Sequence, residues 1–157
     1  MPEITAADQA LVTTFGRLLE AHAHLTRHLG RALEQDADLP HTWLEVLLRI
    51  SRAEGGQVTM SSLAQQVALT GGGVTKMIDR MIKAGLVERV PCPTDRRVAY
   101  ATLTQQGRDK LEQALPGHAQ QLRHAFAGFS KQDLQRFDGL LDRLRTVDLD
   151  SSTRPGS

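Results

Sequence analysis

Apolar positions recur along this chain with two periods, and the switch between them outlines its organisation. From Asp8 to about Gln35, Leu11, Phe15, Leu18, Leu25, Leu29 and Leu33 fall at spacings built from threes and fours, with His22 in the slot between Leu18 and Leu25. Such a seam predicts one long helix packed on other helices. Residues 1–7 read as a frayed lead, and DADLP, Asp36 to Pro40, as a break. His41 to about Ala53 reads as a second helix, with Trp43, Val46, Leu47 and Ile50 on one face and Gly55-Gly56 ending it. Val58-Thr59 is a candidate short strand. Ser61 to Val67 is a candidate short helix that turns Leu63, Ala64 and Val67 inward.

The next helix has the clearest two-sided pattern. Thr70 is placed to cap it, its hydroxyl accepting from an N–H of the first turn. At about 3.6 residues per turn, Val74, Met77, Ile78, Met81 and Ile82 share one face. Gly72, Lys76, Asp79 and Lys83 centre the opposite face, flanked by Gly73, Thr75 and Arg80. Gly85 ends the helix. Period two then takes over, with strands expected at Leu86–Val90 and Val98–Leu103, joined by the turn-rich loop PCPTDRR. Helix, turn, helix and hairpin in that order describe a winged helix-turn-helix, an arrangement that holds duplex DNA.

After the hairpin, Gln105 to about Phe129 reads as a long helix with a kink or break at Pro116-Gly117. Ser130 caps a last helix whose first turn holds Asp133 and whose apolar face is Leu134, Phe137, Leu140, Leu141, Leu144 and Val147. SSTRPGS, residues 151–157, reads as a disordered tail.

Composition adds three constraints. The 157 residues suit one domain, or one domain with an extension. No run of 18 apolar residues occurs, so no membrane span is expected, and MPEITAADQ lacks the pattern of an export signal, so a cytoplasmic protein is expected. The single cysteine, Cys92, permits no internal disulfide. Net charge is only +1, but residues 70–97 hold six basic residues against three acids, a local excess that suits phosphates.

LAQQVALTGGGVTKMIDRMIKAGLVER, then DRRVAYA, then LTQQG resembles the MarR family of winged-helix transcription regulators. Asp95, Arg97 and Ala101 fit the wing pattern D-x-R-x-x-x-A. Gly85, Leu86, Val87 and Arg89 fit the opening of the first wing strand, and Leu103, Thr104 and Gly107 fit the exit L-T-x-x-G. The resemblance implies a mainly α fold with a small β-hairpin wing. A winged helix-turn-helix lobe (residues 38–104) would join a helical dimerisation region (1–37 and 105–150). It also implies a homodimer on a pseudo-palindromic DNA operator, acting as a repressor released by a small anionic or aromatic effector. The apolar first helix and last two helices favour such pairing, because one copy alone would struggle to cover both seams.

The expected DNA contacts are Thr59, Ser61, Ser62, Thr70, Gly71, Gly72, Gly73, Thr75, Lys76, Arg80, Lys83, Asp95, Arg96 and Arg97. Family members usually carry side chains where this chain has Gly71-Gly72-Gly73, which reads either as tolerated sequence drift or as bare backbone that approaches phosphates closely. Base reading then falls to Thr75 and Lys76, with Arg80 or Lys83 on phosphate. Arg97 is expected at the wing tip in the minor groove, with Asp95 pairing with an arginine to brace the loop. His22, His41 and Trp43 are the effector candidates, against the alternative that they are ordinary core residues.

Other functions have thinner support. His24 and His28 are four apart on one helix but lack a third ligand, and His118 and His124 are six apart, so no metal site is assigned. Cys92 near Arg89 has some potential for thiolate character. No nucleophile elbow, P-loop or dinucleotide fingerprint is present, so neither enzyme chemistry nor a cofactor is expected. A winged helix that binds protein, or a metal-responsive regulator, remains the alternative. The exposed cations Lys76, Arg80 and Lys83 weigh toward DNA.

Overall fold

The computed structural model describes residues 4–67 and 71–148. Helix α1 spans Ala6–Ala37. It begins two residues before Asp8 because Thr5 caps it reciprocally: Thr5 Oγ1 accepts from the Asp8 N–H at 3.2 Å, and Asp8 Oδ2 accepts from the Thr5 N–H at 2.9 Å. The helix ends where Asp38 turns left-handed, at φ 44°, and donates its N–H to the Glu34 carbonyl. Helix α2, His41–Arg52, follows and buries Leu44, Val46, Leu47 and Ile50. A 3-10 turn leads into strand β1, Gln57–Thr59, and then helix α3, Met60–Gln66.

Helix α4, Gly71–Lys83, buries the face the sequence indicates: Val74, Met77, Ile78 and Met81 are all at most 7 % exposed. Burying each of these side chains contributes about 1.5–3 kcal/mol. The expected cap Thr70 lies outside the described residues, as does the tail 151–157. Strands β2 (Val87–Pro91) and β3 (Ala99–Leu103) form the hairpin, each beginning one residue later than the pattern suggests. The sheet is antiparallel in the order β1-β3-β2, so β3 is central and β1 and β2 are its edges.

Helix α5, Gln105–Ala125, runs through Pro116 without a break and stops short of Phe129. Proline removes one donor and crowds the preceding turn, at a cost of about 3 kcal/mol. Pro116 takes this position on an exposed face, while Leu111 and Ala114 of the same helix are buried.

The chain divides into two compact units, Met1–Leu122 and Arg123–Ser157. In the first, Leu33 and Ala37 of α1 and Leu111 and Ala114 of α5 belong to the same buried core as Leu47, Leu63, Ile78 and Ala101. The winged lobe thus shares its core with the inner parts of α1 and α5. The outer part of α1 differs: Leu11, Val12, Phe15 and Leu19 are between 52 % and 69 % exposed. The second unit holds helix α6, Lys131–Thr146, capped reciprocally by Ser130 and Asp133 as the sequence indicates. Its Phe137, Leu140, Leu141, Leu144 and the following Val147 are all exposed.

The L-T-x-x-G segment has a steric explanation. Gly85, at φ 75°, closes α4 with a Schellman turn: its N–H donates to the Ile82 carbonyl, and the Leu86 N–H to that of Met81. Thr104 Oγ1 donates to the Gly85 carbonyl at 2.6 Å and accepts from the Gly107 N–H at 2.9 Å, capping α5. A Cβ on Gly107 would lie 2.0 Å from the Leu86 carbonyl oxygen. Because that oxygen is backbone, relief requires moving the strand. Gly107→Ala is therefore expected to destabilise the fold by about 1–3 kcal/mol, seen as a lower urea midpoint at fixed protein concentration. An unchanged midpoint would show that the two segments separate freely.

Candidate nucleic-acid interface

Three parts of the first unit carry the residues expected to meet nucleic acid. The first is the start of α3. Thr59 is its N-cap, with Oγ1 accepting from the Ser62 N–H at 3.2 Å and lying 3.2 Å from Ser61 Oγ. Ser61 is exposed and Ser62 half-buried, and Ser62 Oγ accepts from Gln66 Nε2 at 2.7 Å. Capping consumes part of the hydrogen-bonding capacity of Thr59, leaving Ser61 the more available hydroxyl.

The second part is the outer face of α4, where Thr75, Lys76, Asp79, Arg80 and Lys83 are all exposed. Gly71, Gly72 and Gly73 form the head of the helix. Two of the charged residues have intramolecular engagements that the sequence does not announce. Asp79 accepts from Arg89 Nη2 at 3.0 Å, an ion pair linking α4 to β2. The guanidinium of Arg80 lies 5.8 Å from the centre of the Trp43 ring, within cation–π range, and so links α4 to α2. Sequence reasoning placed Asp79 on the outer face and Arg89 in the wing strand but had no means of pairing them. Their separation of ten residues becomes proximity only through the turn at Gly85.

The third part is the wing loop. Asp95 Oδ1 accepts from the Arg97 backbone N–H at 2.9 Å and from its Nε at 3.3 Å. Arg97 keeps a side chain that is 90 % exposed, and Arg96 is exposed too. The Arg97 backbone N–H, and then its guanidinium, hold the Asp95 carboxyl below the usual carboxylate range. The Val98 N–H donates to the Asp95 carbonyl and the Cys92 N–H to the Val98 carbonyl, closing the loop base. Cys92 Sγ lies 3.3 Å from Thr94 Oγ1, and the Thr94 side chain is the chief reason its thiol sits below the ordinary range.

The effector candidates occupy different neighbourhoods. His22 is exposed on α1, beside Thr26 and Arg27. His41 is half-buried, with Nδ1 3.7 Å from Glu45 Oε1 and its ring 6.1 Å from that of His118. Burial, then the neighbouring His41, push the His118 imidazole below its ordinary value, opposed by Glu45. Trp43 borders a separate open cavity with Leu39, Leu86, Gln106 and Lys110. Among the described residues no group of three His, Cys, Asp or Glu is placed to hold a metal ion, and no helix is long and apolar enough to cross a membrane.

A sequence model of the MarR family matches residues 37–98, the segment from the end of α1 to the wing loop. Among curated relatives, the uncharacterised HTH-type transcriptional regulator YkoM of Bacillus subtilis is 31 % identical over 56 % of this chain and 57 % of its own length. The chain thus spans less than two thirds of that relative. The HTH-type transcriptional repressor IacR of Pseudomonas putida is 25 % identical over 80 % of this chain and 73 % of its own. Among solved structures, Sco3205, a MarR family transcriptional regulator from Streptomyces coelicolor in complex with DNA, superposes with a TM-score of 0.78. It covers 100 % of this chain and 97 % of its own at 27 % identity. With the helix-turn-helix, the wing and these likenesses on one chain, residues 37–98 match the MarR family and the fold as a whole is similar to that of MarR family transcriptional regulators.

Proposed function

We propose that the chain works as a cytoplasmic homodimer that occupies a pseudo-palindromic DNA operator and represses transcription until a small anionic or aromatic effector releases it. The observation that carries this reading is the pairing, within one unit, of a cationic recognition face (Lys76, Arg80, Lys83) with a wing arginine already braced by Asp95. Sco3205, similar in fold over its whole length, is described in complex with DNA, and IacR is named a repressor. In this reading, residues 38–104 hold DNA, and 1–37 with 105–150 hold the partner protomer.

Helix α4 enters the major groove, where Thr75 and Lys76 read base edges and Lys83 meets phosphate. The glycines at its head let backbone N–H groups approach a phosphate closely. Thr59, Ser61 and Ser62 meet the backbone on one side, and Arg97, with Arg96 beside it, enters the minor groove. Thr70 completes the set of expected contacts.

The dimer reading is supported by exposed apolar side chains on both terminal helices: Leu11, Phe15 and Leu19 on α1, and Phe137, Leu140 and Leu144 on α6. Covering them with a second copy removes them from water at about 25 cal/mol per Å². Two recognition helices would then meet half-sites about one helical turn apart. For the effector, His22, His41 and Trp43 remain the candidates. Trp43 has a route to DNA, since a ligand stacked on its ring would displace Arg80. Such a ligand releases DNA only to the extent that it prefers the arrangement that misfits the operator.

A gel shift with the upstream intergenic fragment tests the reading. Arg97→Ala is expected to weaken binding at least about tenfold, the loss of about 1.4 kcal/mol, while the thermal midpoint barely moves. Normal binding by this variant would remove the wing from the mechanism. Because its pKa is depressed, the Asp95 brace is fully formed above the unfolded carboxyl value of about 3.9 and is lost as pH falls through the lower folded value. An NMR carboxyl titration of Asp95 should therefore turn over below about 3.9, and Arg97→Ala should raise it. Sedimentation should give twice the chain mass, and Leu140→Asp with Leu144→Asp should yield monomers that lose operator affinity. A monomeric wild type that still binds the operator would overturn the dimer.

A further inference from the structure

The first helix of the helix-turn-helix borders an open cavity of about 680 Å³ to which, among the described residues, neither the recognition helix nor the wing loop contributes a lining residue. Its walls come from the end of α2, β1, α3 and Tyr100 of β3. Two arginines from the last turn of α2, Arg49 and Arg52, line it together with Thr59 and Ser62. Arg49 Nη1 donates to Gln66 Oε1 at 3.2 Å, and Gln66 Nε2 donates on to Ser62 Oγ, so a polar string joins the arginine to the start of α3. Among the described residues, Glu54 is the one acid in the lining.

Arg49 Nε is buried and has no hydrogen-bond acceptor among the described residues. A charged group that leaves a buried donor unmet carries a desolvation cost that native folds usually avoid. Favourable interaction with the carbonyl end of α2 would explain basic residues in its last turn. It does not explain a donor left without an acceptor beside a second cation and an open cavity. An oxyanion from outside the fold would, after a modest rotation of the guanidinium.

Position identifies the anion. In a helix-turn-helix the second helix lies in the major groove while the first crosses the sugar–phosphate backbone. Helix α3 packs on α4, and Arg49 and Arg52 stand beside α3. We propose that Arg49 and Arg52 form a clamp for a DNA backbone phosphate flanking the segment that α4 reads. The clamp rests on the DNA-binding reading above. It sets affinity and register and carries no sequence information, as phosphate contacts do.

The test uses the full chain, its upstream intergenic fragment and a random duplex of equal length, with affinity measured across a salt series. Arg52→Ala is the main variant, because Arg52 is exposed and its loss leaves the core intact. Arg49→Gln is the second. The slope of log affinity against log salt should fall by about one for each arginine lost, so by about two in a dimer. Affinity for both duplexes should drop by the same factor, leaving their ratio unchanged, with thermal midpoints near wild type. A wild-type slope in Arg52→Ala, with wild-type DNA binding intact, overturns the clamp alone. Failure of the wild-type protein to bind either duplex overturns the clamp and the DNA reading together. Inorganic phosphate, compared with chloride at equal ionic strength, should release DNA no better. Phosphate-specific release that Arg52→Ala abolishes would assign the cavity to a free anion and overturn the backbone assignment.

Discussion

Gly107 packs so close to the carbonyl of Leu86 that no Cβ fits between them, and this contact helps fix how the recognition helix sits. Around it, the Thr104 N–H donates to the Leu86 carbonyl, the Thr104 hydroxyl to the Gly85 carbonyl, and Arg108 Nη1 to the Leu103 carbonyl at 2.8 Å. These bonds tie the last turn of α4, the start of β2, the end of β3 and the first turn of α5 into one knot. Each bond satisfies a backbone group that the ends of these elements would otherwise leave open. The direction in which α4 leaves the lobe is thereby set at its C-terminal end, while its N-terminal end opens on three glycines. A helix anchored at one end and glycine-headed at the other can present rigid side chains from its middle and bare backbone from its tip.

The charges of α4 divide between holding the lobe together and facing outward. Asp79 pairs with Arg89, and Arg80 rests over Trp43, so two outer-face residues secure the helix to β2 and to α2. The Asp79–Arg89 pair is solvent-exposed and worth only about 0–1 kcal/mol. Its effect is to orient neighbours more than to stabilise the fold. The wing follows the same logic, since Asp95 holds the Arg97 backbone and guanidinium while most of the arginine remains in water.

Much of this was legible from spacing alone. The buried face of α4 follows from its helical period, because Val74, Met77, Ile78 and Met81 have only one way to turn together toward a core. The cap at Ser130, and the bracing of the wing loop by Asp95, were legible because they act over two or three residues. The Thr5–Asp8 cap was equally local, yet a pattern centred on the apolar seam begins too late to notice it. What stayed hidden depends on the fold bringing distant segments together. The Trp43–Arg80 contact and the His28 Nε2–Gln121 Oε1 contact at 3.0 Å join residues tens of positions apart. The seam of α1 gave no sign that its Leu29 and Leu33 would be buried within the chain while Leu11 and Phe15 stayed outside. Proline's local rule suggested a kink or break at Pro116, and the surrounding helix continues through it.

The three-stranded sheet has a consequence for assembly. One margin, β1, is only three residues long, and the other, β2, carries Glu88 and Arg89 and finishes at Pro91, which has no amide hydrogen to offer. A foreign strand approaching either margin meets too short a template or a charged, donor-poor one. Extension of the sheet by ladder growth from copy to copy is therefore disfavoured, and any multimer this protein builds is steered toward coil-to-coil contact.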